Sequence, residues 1–342
     1  MLESDPEIKV VATAREGTEG IEMIKQYKPD LVTLDVEMPG MNGLDALRVI
    51  MKEFPLPVLM VSSLTTDGAE ATLEALDIGA VDFISKDLSH VSINIVKIRD
   101  ELIAKIKGIV SSPAIRRRYQ VRNAAIEYAG SRVPFRREVS TLKSNGNSHR
   151  ALVVGISTGG PHALLRMLPQ LPSTFPLGVA VVQHMPPHFT KSLAERLNSI
   201  CKLQVKEAEN GDELKSGTVL VAPGGKQMMF SNDGRTVTTV ISEEPQTILY
   251  RPSADVMMSS AATAIKEPII GLIMTGMGKD GLEGLKMIKN KGGYILAQDE
   301  ESCVVYGMPK AAVDEGIVDA VVPLDAIAET LVHLTNGTHR KN

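Results

Sequence analysis

A serine and a histidine that follow apolar runs, and an aspartate in the glycine-rich segment after a third, have the side-chain types that acyl transfer requires. Ser157 lies in Gly155-Ile156-Ser157-Thr158-Gly159-Gly160, after the apolar run Ala151–Ile156 and before the helical pattern Ala163–Leu168. This is a G-x-S-x-G string between strand and helix, where small neighbours allow a sharp turn that lifts the hydroxyl off the sheet edge. The helix beyond it offers unpaired N–H groups to a developing oxyanion. Such short strings recur by chance, and a glycine-rich turn that binds phosphate or nothing is the plain alternative. A hydroxyl nucleophile also needs a base. Among the seven histidines, His184 closes the run Gly178–Val182-Gln183 and so shares a sheet edge with Ser157. A strand-end histidine bonded only to backbone is the competing reading. His162 follows Pro161 at a helix start, where capping accounts for it, and His90, His149, His333 and His339 fall in loops, linker or terminus. His188 lies four residues beyond His184, but Pro186 and Pro187 intervene. The two do not share a helical face, which argues against a zinc pair. The orienting carboxylate is expected at a third strand end. Asp280, in Thr275-Gly276-Met277-Gly278-Lys279-Asp280-Gly281 after Ile269–Met274, is placed to bond the other ring nitrogen of His184. An aspartate that merely closes a glycine turn is the alternative.

The same segment contains a literal G-x-G-x-x-G, Gly276 to Gly281, after a strand and with Asp299 farther on. That is a dinucleotide fingerprint, so a dinucleotide-dependent oxidoreductase is the main rival. Against it, little chain remains after Gly281 for the partner strand-helix units, and Ser157 and His184 would go unexplained. A non-catalytic signalling adaptor is the third reading; the intact Ser157, His184 and Asp280 speak against it.

Residues at strand ends need strands to hold them, and the chain supplies two sets. In the first, the runs Ile8–Ala12, Leu31–Leu34, Val58–Val61 and Val81–Ile84 alternate with the helical patterns Thr18–Tyr27, Gly43–Lys52 and Asp67–Ile78. In the second, Ala151–Ile156, Gly178–Val182, Thr218–Val221, Ile269–Met274 and Tyr294–Ala297 are the clearest runs. Thr236–Ile241 reads as a hairpin arm after Asn232-Asp233-Gly234, and Leu324–Leu334 as a final amphipathic helix. Alternation of this kind predicts parallel sheets covered on both faces, an α/β class with two domains. Between them, Arg116-Arg117-Arg118, Arg122, Arg132, Arg136 and Arg137 form a basic stretch without pattern. We divide the chain into a domain at 1–108, a basic linker at 109–150 and a second domain at 151–342.

Composition bounds the partners. The 342 residues are 43% hydrophobic and 23% charged, which supports two packed cores. A net charge of -4 argues against a duplex-binding protein, and the absence of Trp with 4% aromatics argues against single-strand stacking, so no nucleic acid is expected. Two cysteines far apart, Cys201 and Cys303, predict no disulfide framework and a reducing compartment. The start lacks a signal pattern, and no apolar run reaches the roughly 18 residues of a membrane span. A cytoplasmic protein without membrane insertion is expected.

Asp35 ends Leu31–Leu34 and opens Asp35-Val36-Glu37-Met38-Pro39-Gly40-Met41-Asn42-Gly43. This string resembles the phosphoacceptor loop of two-component receiver domains. The resemblance implies a doubly wound receiver in which Asp35 accepts phosphate, Ser62 is the switch hydroxyl and Lys86 pairs with the phosphoryl group. Receivers also open with a strand ending in paired acids that hold Mg²⁺ beside the acceptor. Nothing ahead of Asp35 fits: Glu3 and Asp5 precede Pro6 and follow no strand, and Met1–Pro6 reads as the tail of a first helix. The receiver therefore reads as N-terminally incomplete, as a late-assigned start or a shortened gene would leave it. The absent strand would belong between Ile8–Ala12 and Leu31–Leu34, and its loss leaves two unpaired edges and an uncovered core. Asp35 remains the sole metal candidate, and Mg²⁺ binding is expected to be poor.

Gly155–Pro161, Gln183-His184-Met185-Pro186-Pro187-His188-Phe189-Thr190, Ala222–Gly225, Ser253-Ala254-Asp255-Val256, Thr275–Gly281 and Tyr306-Gly307-Met308-Pro309 occur in the order seen in one family. With the receiver upstream, the chain resembles the chemotaxis protein-glutamate methylesterases (CheB). That resemblance implies a parallel-sheet α/β methylesterase domain with the triad Ser157, His184 and Asp280, an oxyanion site from the backbone N–H groups of Thr158 and Met277, and no cofactor for catalysis. It implies as substrate the glutamate γ-methyl esters on the cytoplasmic domains of methyl-accepting chemotaxis receptors. Deamidation of receptor glutamines and phosphorylation by the chemotaxis histidine kinase belong to the same expectation.

Overall fold

A computed structural model describes residues 1–86, 93–119 and 150–336. The chain separates into two compact units, divided between Phe135 and Arg136. The basic positions Arg122, Arg132, Arg136, Arg137 and Lys143 lie outside the described residues.

In the first unit, α1 (Gly17–Tyr27), β1 (Val32–Asp35), α2 (Gly43–Glu53), β2 (Val58–Ser63), α3 (Thr66–Ile78), β3 (Asp82–Lys86) and α4 (Ile93–Ser111) follow in order. The strands form a parallel sheet, β1-β2-β3. Local chemistry sets the helix starts: Asn42 and Thr65 cap α2 and α3 by accepting from the Asp45 and Gly68 amides. Helix α4 runs past residue 108, and residues 113–119 are helical as well. Ile109, Ile115 and Tyr119, assigned to the linker above, are buried, and the Tyr119 hydroxyl donates to the Gly79 carbonyl at 3.3 Å.

One expected strand is absent. Ile8–Ala12 forms no ladder, and Met1–Pro6 holds a single 3-10 turn, Leu2–Ser4, instead of a helix tail. Val10 and Val11 are 37% and 41% exposed despite their β-branched side chains. A strand needs a partner edge for its N–H and C=O groups, and β1 is paired only to β2. Between Ile8–Ala14 and β1 lies a cleft of about 1430 Å³, lined also by Ile106, Ile115 and Tyr119. The unpaired edge of β1 therefore borders this cleft.

The second unit carries β4 (Ala151–Ile156), α6 (Gly160–Met167; α5 denotes 113–119), β5 (Gly178–Gln183), α7 (Phe189–Ile200), β6 (Gln204–Glu207), β7 (Thr218–Val221) and the hairpin β8 (Gln227–Asn232) with β9 (Val237–Ser242). Then come α8 (Ala254–Ala264), β10 (Ile270–Ile273), α9 (Leu282–Asn290), β11 (Tyr294–Gln298), α10 (Met308–Asp314), β12 (Ala320–Val322) and α11 (Leu324–Asn336). Seven strands form a wholly parallel sheet in the order β12-β11-β10-β4-β5-β7-β6. Every residue of β4 and β5 is buried, as helices on both faces require. The chain winds one way from β4 through β5 and the other way from β10 through β12. That reversal lies between β4 and β10, and open α/β sheets form their crevice outside the carboxyl ends of strands at such a point.

Candidate active site

The loops that leave β4, β5 and β10 carry Ser157, His184 and the Gly276–Asp280 turn. Pairing continues one step beyond the strands: the His184 amide donates to the Ile156 carbonyl at 3.1 Å, and Ser157 donates to Thr275 at 2.9 Å. Gln183, almost fully buried, donates its side-chain amide to the carbonyls of both Ser157 and His184, at 3.0 and 3.2 Å. The nucleophile and base candidates are thus tied together through their backbones. The Thr275 hydroxyl bonds the Thr158 carbonyl at 2.9 Å and so ties the serine loop to the glycine turn.

Two glycines permit this closeness. Gly159 has φ +76° at the start of α6, a left-handed conformation that side chains rarely adopt. A Cβ on Gly276 would lie 2.8 Å from the Ser157 Cβ and 2.4 Å from the Met308 sulfur. Neither the Thr158 nor the Met277 amide has an acceptor among the described residues. Free N–H groups on two adjoining strand-end turns are the donors that a developing oxyanion needs.

His184 Nε2 lies 2.8 Å from Asp280 Oδ2, and both side chains are more than nine-tenths buried. Asp280 also accepts from the Ser253 hydroxyl at 2.7 Å and from the Ala254 and Asp255 amides at 2.6 and 3.2 Å. These are the cap and first N–H groups of α8, so the carboxylate sits on the positive end of a helix. Burial works to raise the Asp280 pKa, but the His184 hydrogen bond and charge, joined by Ser253 and Ala254, outweigh it and hold it below the ordinary aspartate value. An ionised carboxylate only accepts, so Nε2 carries the ring proton. Nδ1 is then the basic nitrogen of the neutral ring; it is buried and has no partner. Tyr250 stacks on the imidazole, with centroids 4.3 Å apart and planes 2° from parallel.

The glycine turn does not serve a dinucleotide. Asp255 Oδ1 accepts the Gly284 amide at 2.9 Å and so occupies the start of α9, where a pyrophosphate would have to bind. Burial, reinforced by the charge of Asp280, pushes the Asp255 pKa up against the pull of that amide. Asp299 is engaged by the Ser302 amide and hydroxyl at 3.0 and 2.5 Å and closes its own turn.

In the first unit, Asp35 ends β1 and forms an ion pair with Lys86 at the end of β3. Ser62 is not part of this group: it is fully buried and donates to the Gly68 carbonyl at 3.0 Å. Its neighbour Ser63 approaches Glu37 of the acceptor loop at 3.4 Å. One Asp35 oxygen is held by Lys86 and the other by the Glu37 amide at 3.2 Å. Among the described residues no three His, Cys, Asp or Glu side chains converge. With an ammonium against one Asp35 oxygen and an N–H against the other, this donor set does not fit Mg²⁺, which needs free carboxylate oxygens.

Sequence reasoning passed over Ser253, Gln183 and Tyr250 as individual actors. Ser253 had a readable signal, a cap residue before the alanine-rich run of α8. Gln183 and Tyr250 had none, since their partners are remote in the chain.

Residues 152–331 match the family model described as CheB methylesterase, and residues 1–95 match that of the response regulator receiver domain. The chain is 49% identical to protein-glutamate methylesterase/protein-glutamine glutaminase 1 of Oleidesulfovibrio alaskensis, over 97% of this chain and 94% of that protein. It is 46% identical to the protein of that activity from Pyrococcus abyssi, over 97% of this chain and 88% of the relative. The crystal structure of the Thermotoga maritima CheB methylesterase catalytic domain superposes with a TM-score of 0.53 at 44% identity, covering 55% of this chain and 99% of that one.

Proposed function

The chain belongs to the CheB family of protein-glutamate methylesterases, with a receiver domain ahead of the hydrolase, and from this we propose that it hydrolyses glutamate γ-methyl esters on chemotaxis receptors through Ser157, His184 and Asp280. One observation carries the assignment of residues: His184 is held by Asp280 through Nε2, which leaves Nδ1 free on the sheet edge that Ser157 shares. The division into a receiver, a basic linker and a catalytic domain belongs to this reading.

Nδ1 takes the Ser157 proton as Oγ attacks the ester carbonyl. The Thr158 and Met277 N–H groups receive the negative charge of the tetrahedral intermediate, each worth about 3–4 kcal/mol in sites of this kind. The intermediate collapses, Nδ1–H protonates the departing methoxide, and methanol leaves a glutamyl-serine ester. A water molecule then gives its proton to Nδ1 and attacks that ester, releasing the glutamate carboxylate and restoring Ser157. Asp280 stays ionised and stabilises the imidazolium. No step uses a metal or cofactor. The same sequence with ammonia as leaving group deamidates a glutamine, the second activity named for the relatives.

Asp35 is the phosphoacceptor in this reading, Lys86 its cationic partner, and the chemotaxis histidine kinase the donor. Among the described residues no helix is long and apolar enough to cross a membrane. We place the protein in the cytoplasm, where the receptors present their methylated helices.

Ser157→Ala tests the function directly. Methanol release from methylated receptor membranes should vanish while circular dichroism and the thermal transition stay as in wild type. Release near the wild-type rate would remove Ser157 as nucleophile.

A further inference from the structure

We propose that Tyr250 is a positioning residue that locks the imidazole of His184 in the orientation from which Nδ1 can take the Ser157 proton. The inference rests on the esterase reading. The imidazole is tethered at Cγ and hydrogen-bonded at Nε2, two points on opposite sides of the ring. A ring held only there still rocks about the line between them, and that motion changes where Nδ1 points. Nothing polar stops it, because Nδ1 has no hydrogen-bond partner. The parallel face of Tyr250, 4.3 Å away centroid to centroid and tilted by 2°, does.

Tyr250 is itself built into place. Gln227, fully buried at the start of β8, donates its side-chain amide to the Tyr250 carbonyl and accepts the Ser253 amide, both at 2.9 Å. The Gly225 amide donates to the Arg251 carbonyl at 3.1 Å. The segment runs from the 77% exposed Leu249 to the fully buried Ser253, so Tyr250 enters the site from the surface side. Four residues in a row thus carry both the ring that covers His184 and the Ser253 hydroxyl that grips Asp280. The phenol oxygen lies over the Gly278 turn, 3.4 Å from where a Cβ at that position would stand.

The test uses the full chain with Tyr250→Phe, Tyr250→Leu and Tyr250→Ala. Methanol release from methylated receptor membranes gives kcat and KM, and ¹³C relaxation of the Cδ2–H and Cε1–H groups of His184 gives the amplitude of ring rocking. A flat ring is what the role requires, so Phe should match wild type. Leu and Ala should lower kcat by about 100-fold with KM unchanged, the size of loss that a small misplacement of a reacting group produces. In those two variants the Nε2–H tautomer held by Asp280 should persist while the order parameters of the ring fall. Leu fills most of the same space, so it separates loss of the ring from loss of bulk. Wild-type kcat and unchanged ring order parameters in the Leu variant would overturn the role. A rise in KM alone would make Tyr250 a substrate contact, and equal losses with Phe and Ala would transfer the role to the hydroxyl; both outcomes refute the proposal. A wild-type chain that releases no methanol would defeat the esterase reading instead, and the NMR result would still report on Tyr250.

Discussion

Asp280→Asn changes one atom and keeps the shape, and the structure shows why it is severe. Four donors converge on the carboxylate: Oδ1 takes the Ser253 hydroxyl and the Asp255 amide, and Oδ2 takes His184 Nε2 and the Ala254 amide. An asparagine must turn its NH₂ toward one pair. Facing Asp255, it opposes a backbone N–H that has no other acceptor in the site. Facing His184, it opposes the Ala254 N–H and forces the ring to accept at Nε2, which moves the proton to Nδ1 and removes the base. Each unmatched buried donor costs about 1–3 kcal/mol. For a unit of this size that lowers Tm by about 2–4 °C per kcal/mol and leaves it folded. The chemical loss should be much larger. In an analogous triad the change costs about 10⁴-fold in kcat, or about 5.4 kcal/mol of transition-state stabilisation. The assay is methanol release from methylated receptor membranes, with thermal melts of the same preparation. A folded variant that keeps kcat within about tenfold of wild type would refute the assignment.

The lowered Asp280 pKa gives a stability signature in acid. Its folded carboxyl titrates below the unfolded value, so its contribution is complete above about pH 4 and is lost as pH falls through the folded value. The wild-type advantage in Tm over Asp280→Asn should therefore shrink toward low pH, and a constant difference down to pH 2 would contradict it. In the first unit, Lys105 bonds Asp82 at 2.6 Å and the Phe83 carbonyl at 3.0 Å in a buried pocket. Burial opposes the charge, yet Asp82 and Glu101 hold the Lys105 pKa above its ordinary value. Asp82→Ala leaves that ammonium without its carboxylate and should cost the unit about 3–5 kcal/mol in urea unfolding, whereas pairing Asp82→Ala with Lys105→Met should recover most of the loss. Because the residues around Asp35 do not fit Mg²⁺, acetyl phosphate should label this chain poorly with or without the ion, and basal esterase activity should respond little to the phosphodonor. Strong Mg²⁺-dependent labelling on a phosphate-affinity gel, lost in Asp35→Asn, would show that other residues supply the metal site.

The sequence by itself located Ser157 and His184 at strand ends and Asp280 in the loop after a third strand, because apolar runs broken by small residues depend on neighbours along the chain. It also supplied the parallel α/β class, most strand bounds to within a residue, and the family. Where the outcome depended on hydrogen bonds to remote segments, the sequence was silent or misleading. Ile8–Ala12 has the composition of a strand, yet it forms none, since a strand exists only against another edge. The choice of Nδ1 as the base came from Asp280, which its His184 bond and the Ser253 and Ala254 donors keep ionised and which fixes the ring proton on Nε2. Ser62 lies on β2, one place before its end, and its hydroxyl bonds the Gly68 carbonyl, a partner that the turn into α3 brings back. Tyr250 meets His184 across 66 positions of chain, counted from their numbers, through a hairpin and a buried glutamine that no local pattern encodes. Periodicity records which face of an element is buried; only the assembled sheet decides which atoms of a side chain remain free to react.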